Sequence, residues 1–125
     1  MNQAATPLPT LTTTDGLRLQ GQAWPLPAQA ARGTVLIVHG LGEHIGRYAA
    51  LAARLNAWGW QAAGFDHRGH GRSDGPRGGL PSDDALLLDL AQAVDATRAA
   101  LPGLLAVVIQ RTNLAARPRF DGRAR

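Results

Sequence analysis

Apolar and polar positions alternate from Thr10 to Thr14 and again from Leu17 to Trp24, with Asp15-Gly16 between them as a two-residue turn signal. The chain is therefore predicted to open with an antiparallel hairpin. Pro25, Pro27 and the Ala/Gln stretch to Arg32 read as a loop, after which Thr34-Val35-Leu36-Ile37-Val38 is β-branched and apolar on both faces, the pattern of a buried parallel strand. Tyr48, Leu51, Ala52, Leu55 and Trp58 recur at helical spacing, and Gly59 follows where a left-handed residue ends a helix. Trp60 to Phe65 reads as a strand that stops at Asp66, and a Gly-, Arg- and His-rich loop runs on to Pro81. A second helix is predicted after Ser82 as N-cap, with Asp83 and Asp84 in its first turn and Leu87, Leu90, Val94 and Leu101 as its buried stripe. Pro102-Gly103 ends it, and Leu104 to Ile109 is another continuously apolar strand. Two strand-helix-strand crossovers in a row predict the α/β class, with helices on the faces of a parallel sheet and a site at the carboxyl ends of its strands. Trp24, Trp58 and Trp60 are expected in the core, and no internal repeat is visible.

Composition narrows the picture without changing it. At 125 residues and 45% apolar, the chain is one domain with material for a core, and no apolar run is long enough to span a bilayer. MNQAATPLPTL has neither a basic leader nor an apolar signal core, and cysteine is absent, so disulfides and thiolate metal sites are excluded and the cytoplasm is expected. The net charge of +4 is concentrated in the tail: eight Arg balance eight acidic residues up to Gln110, whereas the last fifteen residues hold five Arg and one Asp. That tail has no Lys, no helical patterning and a single aromatic, Phe120, so no nucleic-acid partner is expected.

Two motifs fall at predicted strand ends. In HGLGEHIGRY, residues 39 to 48, the glycines let backbone approach a ligand, and amides at a helix start favour an anion. One reading is a loosened dinucleotide fingerprint, with Gly40, Gly42 and Gly46 as the glycines and Asp66 as the ribose-binding acid for an NAD-type cofactor. Its third glycine falls four residues after the second instead of three. The other reading is an oxyanion loop, in which the preset amide of Leu41 stabilises charge on a former carbonyl oxygen.

VLIVHGLGEHIGRYAALAARL followed by GFDHRGHGRSDGPRG resembles the α/β-hydrolases of the monoacylglycerol lipase and lysophospholipase type, also described as serine-aminopeptidase-like. The resemblance covers residues 10 to 109. It implies the amino-terminal part of an α/β-hydrolase fold, an opening hairpin then parallel strands with crossover helices in an incomplete sheet. It implies a cofactor-free serine hydrolase family acting on small-molecule acyl esters or lipids. His39, Gly40, Leu41 and Gly42 match the oxyanion loop, Leu41 supplying one amide, and Glu43, His44, Arg47 and Tyr48 match the rest of that motif and shape the loop. Asp66, Arg68, Gly69, His70, Gly71 and Ser73 match the loop after the family's fourth strand, which braces the floor of the site.

Gly71-Arg72-Ser73-Asp74-Gly75 fits the G-x-S-x-G pattern of a nucleophile elbow letter by letter. An elbow needs a buried strand immediately before the serine and a helix immediately after it, and loop residues stand on both sides of Ser73. The triad order is serine, acid, histidine, yet no His follows His70. The elbow belongs after Leu104 to Ile109, where the chain reads Gln110-Arg111-Thr112-Asn113-Leu114, and no Ser or Cys lies beyond Ser82. The expectation is an inactive portion of a hydrolase: a flexible amino terminus over 1–9, a truncated domain over 10–109, and an Arg-rich tail over 110–125 produced where the reading frame departs from the family. His39, His44, His67 and His70 lack paired carboxylate spacing or an H-E-x-x-H helix, so no metal is expected. Arg68, Arg72 and Arg77 are expected in a solvated or ion-paired loop, and the last strand should present an apolar edge.

Overall fold

The computed structural model describes residues 5–77 and 82–110. Its strands are β1 (Thr6–Pro7), β2 (Leu11–Thr12), β3 (Arg18–Leu19), β4 (Gly21–Trp24), β5 (Gly33–Val38), β6 (Trp60–Phe65) and β7 (Leu105–Ile109), and its α-helices are α1 (Ala49–Ala57) and α2 (Asp83–Ala100). Five strands form one sheet in the order β1-β4-β6-β5-β7, while β2 and β3 pair as a separate hairpin. β5 runs parallel to both β6 and β7, and β4 is antiparallel to β6. The α/β class is therefore as expected.

The alternation of a strand explains why the core has two halves. Leu36, Ala63 and Phe65 point to one face, where they pack with Leu8, Leu19, Ala23 and Ala93 of α2. Val35, Ile37 and Ala62 point to the other, with Trp24, Ile45 and Ala52 of α1. From β5 the chain steps outward to β6 and then back past β5 to β7, so right-handed crossovers put the two helices on opposite faces. The same topology brings the carboxyl ends of β5, β6 and β7, and hence His39, Asp66 and Gln110, to one end of the sheet.

Several local expectations need correction. The hairpin loop has three residues: the Gly16 amide donates to Thr13 O and the Thr13 amide to Leu17 O, with Gly16 at φ 89°. This is a type I turn closed by a left-handed glycine, one residue longer than the Asp-Gly pattern implied. Leu17 to Trp24 does not run as one strand. It breaks at Gln20, whose amide donates to the Ser73 hydroxyl at 2.8 Å, so β3 serves the hairpin and β4 the main sheet. Residues 5–9 are not a free leader, because β1 pairs with β4 and Leu8 is buried.

The first crossover begins as a 3-10 turn, Ile45–Tyr48, before α1. Ala52 is buried on α1, but Leu51 and Trp58 are exposed, so Trp58 is not a core residue. In α2, Ser82 caps the amide of Ala85 as expected. The buried positions are Asp89, Ala93 and Thr97; of the expected stripe, Val94 and Leu101 pack against the core and Leu90 lines the cavity beside it, whereas Leu87 is 64% exposed and Leu88 55%. Among the described residues β7 is paired with β5 alone, and Val107, Val108 and Ile109 are exposed on it. The Arg-rich tail from residue 111 lies outside the described residues.

Candidate functional site

Ile37 and Val38 deliver His39 and Gly40 into a tight turn at the end of β5. The Glu43 amide donates to Gly40 O at 3.2 Å, and the Gly40 amide donates back to the Glu43 carboxylate at 3.1 Å. The Gly42 amide donates to Nε2 of His70 at 3.0 Å. Of the four amides from Gly40 to Glu43, that of Leu41 has no partner among the described residues. The turn thus fixes its own backbone while leaving one donor unused, and Leu41 is only partly buried.

Glu43 is held from the other side by the Tyr48 hydroxyl, which donates to its Oε1 at 2.5 Å. That bond keeps the carboxyl of Glu43 below its ordinary range. Burial, followed by the same carboxylate neighbour, pushes the Tyr48 phenol up to about 12. Arg47 and His44, from the same motif, are exposed.

Three imidazoles stack behind the turn, with ring centroids 4.1 Å apart for His39 and His67, 5.5 Å for His39 and His70, and 6.0 Å for His67 and His70. The His67 amide donates to Nε2 of His39 at 3.0 Å, so Nδ1 of His39 carries the proton and donates to Gly40 O at 2.8 Å. Burial, with little offset, lowers His39 to about 4. Nε2 of His67 donates in turn to His39 O at 2.7 Å, and burial lowers this imidazole as well. His70 follows the logic of His39: its Nε2 accepts from Gly42, so its Nδ1 donates to Arg68 O at 2.9 Å. Among the described residues no group of His, Asp or Glu is arranged to hold a metal ion.

Asp66 ends β6 and is 5% exposed. Its Oδ1 accepts the Ile45 amide at 2.7 Å and its Oδ2 the Arg72 amide at 3.0 Å, so the carboxylate ties the crossover turn to the loop that follows β6. A carboxylate turned inward in this way is not presented to a ribose, and the dinucleotide reading loses its acid. Gly71 sits against it at φ 51°, where a Cβ would overlap the Asp66 carboxylate.

Ser73 is fully buried. Its hydroxyl donates to Asp66 O at 2.7 Å and accepts the Gln20 amide at 2.8 Å, so both hydrogen-bonding roles are spent on backbone. It lies in a run of turns and bends, with no strand immediately before it and, among the described residues, the next helix at Asp83. Asp74 continues the same job, accepting the Arg18 amide at 2.9 Å, while the Gly69 amide donates to Asp74 O at 2.7 Å.

Arg68 anchors the loop from beneath. Its guanidinium makes two bonds to Asp89 of α2 at 2.8 and 2.9 Å, and two to Asp15 of the hairpin at 2.8 and 3.0 Å. These bonds, those to Asp89 first, raise the guanidinium above its ordinary value, and the Arg68 fork holds Asp15 well below the carboxylate range. Arg77 donates to Ser73 O at 2.7 Å, and Arg72 is exposed. Sequence reasoning missed Asp89 and Asp15. An acid inside an otherwise apolar helical face was the one signal for Asp89, and none marked Asp15 beyond its turn.

The sequence pattern of the family described as serine aminopeptidase, S33 matches residues 29–109. The monoacylglycerol lipase of Mycolicibacterium smegmatis is 45% identical over 62 residues, half of this chain and 22% of that protein. Human monoglyceride lipase is 35% identical over 97 residues, covering 78% of this chain and 32% of its own length. The chain thus spans less than a third of the length of these relatives. In fold, a soluble variant of monoglyceride lipase from Saccharomyces cerevisiae superposes with a TM-score of 0.67 at 23% identity, over 91% of this chain and 38% of that one. With more than half of its residues matched by the family pattern, on an α/β sheet of the same topology, the chain belongs to the serine aminopeptidase, S33 family of α/β-hydrolases.

Proposed function

We propose that this chain carries the charge-stabilising half of a carboxylic-ester hydrolase of the monoacylglycerol lipase and lysophospholipase type, without the group that attacks the ester. The observation that carries the reading is the Leu41 amide, without a partner among the described residues, in a turn where the amides of Gly40, Gly42 and Glu43 are all committed. A donor held by neighbours and left without a partner is what a developing oxyanion requires, since it needs no reorganisation as charge builds. His39, Gly40 and Gly42 form the turn, with Glu43 and Tyr48 fixing it. His44 and Arg47 complete its motif, and Asp66, Arg68, Gly69, His70, Gly71 and Ser73 brace it.

The intact family's substrate class here is a small-molecule acyl ester or lipid, and no cofactor is needed for acyl transfer of this kind. Within the 125 residues the one serine set in the site region, Ser73, has no imidazole bonded to its hydroxyl, and no other Ser or Cys follows Ser82. Residues 10–109 are read as the hydrolase portion, and 110–125 as an out-of-family tail. Among the described residues no helix is long and apolar enough to cross a membrane. A cytoplasmic setting fits a chain with no cysteine.

The positive test is binding of a short alkylphosphonate, whose tetrahedral anion mimics the intermediate, followed by amide NMR on the 125-residue chain. A saturable shift at Leu41, lost in Leu41→Pro, is expected. A Leu41 resonance that ignores the phosphonate would remove the oxyanion assignment.

A further inference from the structure

His39 to Glu43 is one turn of backbone, and a turn containing two glycines does not hold its amides still unaided. Its internal bonds, from Gly40 to the Glu43 carboxylate and from Glu43 to Gly40 O, tie its two ends together. They do not fix the apex, where Leu41 and Gly42 sit. Gly42 has φ 83° and a Cβ there would meet nothing within 4 Å, so packing does not hold the apex either. Among the described residues, the single bond that reaches the apex from another element is the Gly42 amide to Nε2 of His70 at 3.0 Å.

We infer that His70 is a positioning residue for the Leu41 amide: its neutral imidazole, protonated on Nδ1, latches Gly42 and so sets where the neighbouring amide points. The inference rests on the oxyanion reading of Leu41 and adds the residue that aims it. Nδ1 of His70 is itself pinned to Arg68 O, and Arg68 is clamped by Asp89 and Asp15, so the latch is anchored in α2 and in the hairpin. The rings of His39 and His67, with centroids 5.5 and 6.0 Å from that of His70, pack beside the latch.

The test is amide hydrogen exchange at one neutral pH, expressed as protection factors, read together with the Leu41 amide resonance. In the unaltered chain, Gly42 is expected to be protected at least about ten-fold more than in His70→Ala. Leu36 and Ala63, buried in the sheet, serve as controls for global unfolding. His70→Gln places an amide oxygen near the Nε2 position and keeps an acceptor, so Gly42 should stay protected. His70→Ala should leave Gly42 unprotected and Leu41 displaced, with Leu36 and Ala63 unchanged. Gly42 protection that is the same in His70→Ala as in the unaltered chain would overturn the latch. So would a Leu41 resonance that stays in place when Gly42 is released, and that result would leave the phosphonate test of Leu41 standing on its own.

Discussion

Arg68 and Asp89 form a two-bond fork at 2.8 and 2.9 Å, with the Asp89 side chain 5% exposed and that of Arg68 14%. The pair joins the site loop to α2, and its burial makes it expensive to break from one side. Arg68→Met should cost about 3–5 kcal/mol in urea unfolding, because it leaves a buried carboxylate without its partner. Asp15→Asn removes the other half of the Arg68 network, where the carboxylate is 57% exposed, and should cost much less. Equal losses would mean that solvent reaches Asp89 more freely than its burial indicates.

Ser73→Ala should destabilise the chain by about 1–3 kcal/mol, since the Gln20 amide is left without an acceptor in a buried position. Chemical denaturation measures this directly. A neutral effect would show that the hydroxyl does not splice β4 to the end of β6.

Stability should fall as pH drops below the ordinary histidine range. The unfolded imidazole of His39 titrates near the ordinary 6.5 and the folded one at about 4, so between these values the unfolded chain holds more protons. The contribution is complete above 6.5, is lost on the way down to about 4, and amounts to on the order of 3 kcal/mol. His67, shifted the same way, adds to the slope. Unfolding midpoints followed from neutral to acid pH should show this slope, and His39→Asn should flatten it.

Gly64→Ala tests how the crossover turn is seated. A Cβ at this position would lie 2.7 Å from Ile37 O and inside the Ile45 side chain, which rests on the bare glycine. A loss of about 1–3 kcal/mol is expected in thermal or urea unfolding, from overpacking a site that cannot yield.

The outer edge of β7 governs solubility. Val107, Val108 and Ile109 are exposed, the strand carries no charge, and its second edge is unpaired among the described residues. Light scattering should reveal concentration-dependent association of the 125-residue chain, reduced by Val108→Lys. A monodisperse chain at high concentration would show that the edge is covered.

Those elements divide what the sequence discloses from what it hides. β5 was legible because Thr34 to Val38 has no polar face to place, and the Ser82 cap because its bond is local. The break at Gln20 was not, since its cause is a hydroxyl 53 residues away. On α2 the stripe was legible at Val94 and Leu101 and misread at Leu87, which turns outward where Asp89 faces Arg68. At the site, the residue types and their clustering could be read from the two motifs, whereas the chain of imidazole acceptors linking His39, His67 and His70 exists only once β5 and β6 lie side by side.

The account turns on a cradle for negative charge in a chain with no activated nucleophile, and incubation of the folded 125-residue chain with a fluorophosphonate probe tests it most directly. The expected mass spectrum shows no covalent adduct at Ser73 or Ser82. Stoichiometric labelling of Ser73, lost in Ser73→Ala, would contradict it.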